Sequence, residues 1–273
     1  MITMDYSALF SIAKNIRKKI IESIYIAGSG HPGGSLSAVE IGTALYFNLM
    51  NYKPDQPDWD LRDRFILSKG HAAPLLYALL SEAEFFADEE MKNLRKLNSI
   101  LQGHPHSLKC PGVDVSTGSL GQGLSVACGI AMYSKMNKKD FFVYTLHGDG
   151  ELNEGQIWEA LMFASHHKLN NIIAFVDRNH LQLDGNTEDI LKLEPLKDKF
   201  LSFGWNCMNI NGHSFEEILN SVHVAKQSDL PSIIIADTIK GKGVSFMENN
   251  AVWHGRVPNN EEFLSAIKEI DES

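Results

Sequence analysis

The stretch FFVYTLHGDGELNEGQIWEALMFASHHKLNNIIAFVDRNH, residues 141–180, decides the fold. Phe141-Phe142-Val143-Tyr144-Thr145-Leu146 is a short unbroken apolar run closed by glycines, and Ile172-Ile173-Ala174-Phe175-Val176-Asp177 is a second. Between them, Gly155 to His167 reads as a helix. Strand, helix and strand in about 37 residues make one βαβ crossover. Runs that are continuous rather than alternating imply burial on both faces, and hence a parallel sheet.

The same alternation continues outward. A strand is expected at Trp205 to Ile210, a helix from Phe215 to Lys226 and a strand at Ser232 to Asp237. Toward the N-terminus, Leu9, Ile12, Ala13, Ile16, Ile20 and Ile24 recur at helical spacing, so the first ~25 residues read as an amphipathic helix that stops near Gly28 and Gly30. Further helices are expected from Ser37 to Asn48, Ala73 to Leu80 and Asn260 to Ile270. No internal repeat or low-complexity linker interrupts the pattern. The expectation is one α/β domain over 1–273, a doubly wound, mostly parallel sheet flanked by helices.

Composition narrows the function. The chain has 273 residues and a formal net charge of −9, which argues against nucleic acid or an anionic membrane as the main partner, since neutralising phosphates needs a basic excess. Its one tight basic run is Arg17-Lys18-Lys19. Cys110, Cys128 and Cys207 show no disulfide or zinc-finger spacing and read as buried free thiols. No apolar stretch approaches the roughly 18 residues of a membrane span, and residues 1–20 lack a signal-peptide core. A soluble protein of a reducing compartment, most simply the cytoplasm, is expected.

Ligands of doubly wound folds sit at the carboxyl ends of strands. After 141–146 comes His147-Gly148-Asp149-Gly150, and after 172–176 comes Asp177-Arg178-Asn179-His180-Leu181. Asp149 offers a carboxylate, Asn179 an amide oxygen and the nearby backbone a third oxygen, a hard-oxygen set suited to Mg²⁺ with positions left for phosphate. Gly148 and Gly150 would let a diphosphate approach the backbone beside the next helix, whose start is acidic at Glu151 and Glu154. Singly, such turns are commonly ordinary loops; the pair flanking one crossover is what points to a cation. Other phosphate fingerprints fail: there is no G-x-x-x-x-G-K-[ST], no G-x-G-x-x-G after a strand, and no G-x-S-x-G elbow. Histidines beside glycine or proline form the second signal, at Gly30-His31-Pro32, Gly70-His71, Gly103-His104-Pro105 and His254-Gly255. Rigid loop imidazoles suit proton transfer and phosphate contact. Lys240-Gly241-Lys242-Gly243 adds a cationic loop.

These strings resemble a known family. Gly30-His31-Pro32-Gly33-Gly34-Ser35, Ser68-Lys69-Gly70-His71, Gly118-Ser119-Leu120-Gly121-Gln122-Gly123, Gly148 to Gly155, Asp177-Arg178-Asn179, and Lys240 to Gly243 leading to Trp253-His254-Gly255 look like the diphosphate-binding half of transketolase. All six agree in order and spacing over roughly residues 8 to 258. The resemblance implies a thiamine-diphosphate enzyme that moves a two-carbon ketol unit from a ketose phosphate to an aldose. Carried over, Asp149, Asn179 and the Leu181 carbonyl would bind Mg²⁺ or Ca²⁺. His71, Gly148, Gly150, Lys240 and His254 would hold the diphosphate, and Gly118, Ser119 and Leu120 the thiazolium and pyrimidine side. His31, His104 and His254, with His71, would surround the reacting carbons. Glu154 and Glu159 resemble the acidic residues that link paired active sites, and Glu154 is carried over among the cofactor contacts.

His147 departs from the pattern, because an aliphatic residue is usual before the Gly-Asp-Gly turn. Transketolases also continue into a pyrimidine-binding domain and a third domain, which this sequence does not reach. The resemblance thus implies a split enzyme whose second subunit carries both, an α₂β₂ assembly in outline. The alternatives are a 1-deoxyxylulose-5-phosphate synthase-like reaction, transfer to a non-sugar acceptor, and a non-catalytic cofactor-binding subunit. The three loop histidines favour sugar ketol transfer.

Overall fold

The computed structural model describes residues 6–273; the first turn of the expected N-terminal helix, 1–5, lies outside the described residues. Five strands, β1 (Arg64–Leu67), β2 (Val143–Gly148), β3 (Ile172–Arg178), β4 (Asn206–Asn211) and β5 (Ser232–Asp237), form one parallel sheet in the order β1-β2-β3-β5-β4. The helices are α1 (Ser7–Ala27), α2 (Pro32–Leu36), α3 (Val39–Ala44), α4 (Ala73–Glu82), α5 (Gln122–Met136), α6 (Gly155–His166), α7 (Thr187–Ile190), α8 (Leu196–Ser202), α9 (Phe215–Lys226) and α10 (Asn260–Glu272).

The period-2 geometry of a strand sorts its side chains between two cores. Phe65, Leu67, Tyr144, Leu146, Ile173, Phe175, Ile234 and Ala236 pack on one face with α1, α4 and α9. Ile66, Val143, Ile172, Ala174, Val176, Ile233 and Ile235 pack on the other with α5, α6 and α8. Both faces are covered, which is why the central runs are apolar without alternation. All three cysteines are free and buried.

Helix α1 buries Leu9, Ala13, Ile16, Ile20 and Ile24 and ends at Gly28, whose φ of 61° is the left-handed stop that glycine adopts without strain. The expected helix over 215–226 and the strand over 232–237 match α9 and β5. Elsewhere the boundaries moved. The strand expected over 141–146 runs Val143–Gly148; the Phe142 carbonyl already accepts from the Arg64 N–H of β1 (3.0 Å), but its N–H donates to Asp63 Oδ1 (2.7 Å) rather than to a strand. The single helix expected from Ser37 to Asn48 is broken at Ala38, starts one segment earlier at Pro32, and ends in a wide turn over 45–49 closed by Met50 N–H to Leu45 O (2.8 Å). β1 and α5 were not expected: four residues after a charged segment give little periodic signal, and α5 carries Gly123 and Gly129 on a helix that leaves Val126, Tyr133 and Met136 exposed.

Candidate functional site

The loops after β1, β2, β3 and β5 meet at the carboxyl edge of the sheet. They enclose a cleft of about 310 Å³ lined by Gly34, Lys69, His71, Gly118, Leu120, Gly148, Asp149, Gly150, Glu151, Asn179, Leu181, Gln182, Leu183, Lys240 and His254. The two turns of the β2–α6–β3 crossover therefore converge as their sequence implied.

Asp149 is buried at the start of a short 3₁₀ turn. Its Oδ2 accepts from Arg178 Nη1 (3.0 Å), the His180 N–H (2.7 Å) and Thr187 Oγ1 (3.3 Å). Oδ1 accepts from the Gly150 N–H (2.7 Å). Burial and the neighbouring Asp177 carboxylate push the Asp149 carboxyl above its ordinary range, and Arg178 opposes them. A divalent cation beside it would relieve that unfavourable charge. Asn179 Oδ1 accepts from the Leu181 N–H (3.2 Å), and the Leu181 carbonyl accepts from Lys240 Nζ (3.1 Å), so that oxygen already faces a cation. One carboxylate, one amide and one carbonyl oxygen on one cleft fit a hard divalent ion.

The opposite wall is cationic and aromatic. The rings of His31, His71 and His254 form a triangle with centroids 5.4, 5.4 and 5.1 Å apart. Lys240 Nζ lies 3.1 Å from His254 Nδ1; the ammonium donates, so Nδ1 accepts and the proton sits on Nε2. Burial, then Lys240 and His31, lower the His254 imidazole to about 4. Burial, then Arg95, His104 and Lys240, lower His31 to about 4 as well. His71 is held well below its ordinary value by burial and by Lys69, and His104 is lowered by burial and Arg95. Lys240 is lowered to about 8 by burial and the nearby Lys69. At neutral pH this wall offers neutral imidazole donors and acceptors with ammonium groups beneath, a fit for diphosphate oxygens and sugar hydroxyls.

His31 and His104 stand at the cleft's margin. Arg95 joins them: its Nη1 donates to Ser29 Oγ (2.7 Å), and its Nη2 lies 3.4 Å from His31 Nδ1 and donates to the Gly103 carbonyl (3.3 Å). His104 packs against Gly118, where a Cβ would sit 3.0 Å from its ring. Ser119 and Glu154 are exposed and do not line the cleft, and Glu159 faces a separate surface groove with Cys128 and Phe163. Gly148 and Gly150 have ordinary φ; an added Cβ would meet little at 148 but would come within 2.8 Å of Gln182 Cγ at 150.

Glu151, which the sequence marks only as part of an acidic helix start, is buried, and its carboxylate accepts from the Gly121 N–H (2.9 Å), the Gly148 N–H (3.1 Å) and Ser68 Oγ (2.5 Å). It thereby ties three of the cleft's loops together. Burial pushes its carboxyl up, but His147, Ser68 and Gly121 outweigh that and hold it below the usual range. The unusual His147 belongs to this arrangement, with Nδ1 3.7 Å from Glu151 Oε1 and Nε2 2.8 Å from Thr145 Oγ1. In the sequence, Lys69, Asp177 and Arg178 stand only as letters of the motifs. The signal that could have found them is charge flanking apolar runs that the sheet buries.

The chain matches the family described as transketolase, thiamine diphosphate binding domain, over residues 10–270. It is 44% identical over 257 residues to one of the subunits of the apulose-4-phosphate transketolase of Phocaeicola vulgatus, covering 94% of this chain and 91% of that protein. It is 45% identical over 260 residues to the 6-deoxy-6-sulfo-D-fructose transketolase subunit of a Clostridium species, covering 95% and 94%. Human transketolase is 44% identical over 255 residues, 93% of this chain but 40% of that protein. The solved transketolase of Campylobacter jejuni superposes with a TM-score of 0.93 at 34% identity, covering 98% of this chain and 43% of that one. The chain thus spans about two fifths of these longer relatives and nearly all of the two subunits.

Proposed function

The chain belongs to the transketolase family, as its thiamine-diphosphate-binding part, and from that premise we propose that it is one subunit of a two-polypeptide enzyme transferring a two-carbon ketol unit from a ketose phosphate to an aldose. One observation carries the reading: loops from four strands bring the oxygen set Asp149, Asn179 and Leu181 and the donor set His71, Lys240 and His254 onto one cleft. The separate partner is supported by two relatives of matching extent that are named as subunits. In the proposal the partner carries the pyrimidine-binding and third domains, and the single domain 1–273 supplies the diphosphate side of an α₂β₂ assembly.

Thiamine diphosphate, when bound, supplies a carbon centre able to hold the ketol fragment, and the protein supplies orientation and charge. Asp149, Asn179 and the Leu181 carbonyl hold Mg²⁺ or Ca²⁺. Lys240, His71, His254 and the Gly148–Gly150 backbone hold the diphosphate, with Gly118, Ser119 and Leu120 on the ring side. His31, His104 and His254, neutral at physiological pH, exchange hydrogen bonds and protons with the sugar hydroxyls and stabilise charge developing on the carbonyl oxygens. Glu154 and Glu159 lie outside the cleft, on the α6 flank, and are assigned to linkage between paired sites.

The test mixes this chain with its partner subunit, thiamine diphosphate and Mg²⁺, and follows ketose phosphate consumption with an aldose present. Turnover by the mixture and by neither chain alone is expected. Full ketol transfer by this chain alone, or none by the mixture, would refute the proposal.

A further inference from the structure

Asp177, at the end of the central strand β3, is fully buried and outside the set that touches cofactor. Its Oδ2 accepts from Ser37 Oγ (2.5 Å), Lys69 Nζ and Asn179 Nδ2 (3.0 Å), and its Oδ1 accepts from Thr238 Oγ1. These donors come from four places in the chain: the α2–α3 junction, the loop after β1, the loop after β3 and the end of β5.

An amide side chain has two chemically opposite ends in nearly the same volume, and only its oxygen can ligate a cation. A carboxylate paired with an ammonium is an acceptor without a proton to give, so it can engage only the NH₂ end of Asn179. Turning that amide over would set Oδ1 against Asp177 Oδ2, two acceptors in contact in a buried site, and would also break the Leu181 N–H bond to Oδ1 (3.2 Å). We infer that Asp177 is a positioning residue for the cation site: it holds Asn179 with its oxygen turned away from itself, on the cleft shared with Asp149 and Leu181. The inference rests on the reading of Asn179 as a cation ligand and goes beyond it, since nothing in that reading says what decides which end of the amide is offered. Outer partners that orient a metal ligand typically change metal affinity 10- to 100-fold when removed.

A structural role alone, as the counter-ion of Lys69, makes a different forecast, and a swap separates the two. Mn²⁺ binding to the full chain with thiamine diphosphate is read by electron paramagnetic resonance, with urea unfolding in parallel. Asp177→Leu, close to isosteric but without an acceptor, weakens Mn²⁺ binding at least tenfold, because the NH₂ end of Asn179 loses the partner that fixes its sense; an asparagine at 177 would keep an oxygen toward Lys69 and Asn179 and turn its NH₂ to the Thr238 hydroxyl. Thr238→Val removes the donor on the oxygen that Asn179 does not use and leaves Mn²⁺ affinity within about twofold. Asp177→Asn combined with Asn179→Asp reverses the donor and the acceptor, so it binds Mn²⁺ better than Asn179→Asp alone, where two carboxylates face each other, and this pair makes the comparison if Asp177→Leu does not fold. Unchanged affinity in Asp177→Leu, equal weakening in Thr238→Val, or no gain of the double variant over Asn179→Asp overturns the assignment. Mn²⁺ retained by Asp149→Ala, or not bound by the unaltered chain, overturns the cation-site reading itself.

Discussion

Asp149→Asn is the sharpest test of the site, because that carboxylate is proposed to anchor a cation and also holds neighbouring donors, and the two separate in one measurement. The substituted amide has one oxygen for four donors. Setting its NH₂ at the Oδ2 position would oppose the Arg178 guanidinium and the His180 N–H; setting it at Oδ1 opposes only the Gly150 N–H. The second arrangement is the cheaper, and it replaces Oδ1, which accepts only from the Gly150 N–H, by an NH₂ group that cannot ligate a cation. In that arrangement Arg178 keeps the amide oxygen as well as Glu188 (2.7 Å) and Glu194 (3.2 Å), and what is lost is a carboxylate charge that burial and Asp177 already disfavour. The cost is the part-buried Gly150 N–H left facing a donor, about 1 kcal/mol. For a chain of this size that lowers Tm by roughly 2–4 °C. Independently, thiamine diphosphate with Mg²⁺ at about a hundredfold excess over Kd stabilises the unaltered chain by about 2.7 kcal/mol, a rise of roughly 5–11 °C. Thermal denaturation with and without the two ligands should show a lower baseline in the variant and no ligand increment. A variant that melts lower yet gains the full increment would refute the cation-anchor reasoning, and one that melts unchanged would show that the Gly150 hydrogen bond is not lost.

Three further predictions follow from the same geometry. Gly70→Ala would place a Cβ 2.6 Å from the Gly118 backbone nitrogen, forcing apart two loops of the cleft; cofactor affinity measured by fluorescence quenching should fall at least tenfold, and unchanged affinity would contradict the packing. Glu151→Gln exchanges one acceptor oxygen for a donor facing backbone N–H groups, so urea unfolding should show about 2–3 kcal/mol lost, with weaker cofactor binding; a loss under about 0.5 kcal/mol would show that the three-loop tie is not made. His31 and His254 titrate near 4 in the folded chain against an ordinary value of 6.5, so the unfolded chain takes up protons first. Stability should therefore fall as pH drops from about 6.5 toward 4, and His31→Phe with His254→Phe should flatten that slope in denaturant titrations at stepped pH; an unflattened slope would count against the neutral assignment.

Much of the architecture was legible because it rests on local rules. The apolar runs 172–177 and 232–237 lie in the middle of a sheet covered on both faces, and Ser214, whose Oγ accepts from the Glu217 N–H (3.3 Å), marks the start of α9 as a capping residue should. β1 and the break at Ala38 were not legible, because a four-residue strand and an interrupted helix are settled by what packs on them. The site divides in the same way. Asp149, Asn179, His71, Lys240 and His254 stand out by their turn context, whereas Asp177, Glu151 and Lys69 sit beside apolar runs and look like ordinary flanking charges.

By itself the sequence determined the βαβ order, the two oxygen-bearing turns and the histidine loops, since period, glycine and residue chemistry are properties of neighbours in the chain. Only the tertiary structure decided that Glu151 turns inward to join Ser68, Gly121 and Gly148, that Arg178 braces Asp149, and that Asp177 gathers Ser37, Lys69, Asn179 and Thr238. Those contacts join residues as many as 140 positions apart. A buried carboxylate takes its partners from whatever donors the fold delivers to it, and no local pattern records which those are.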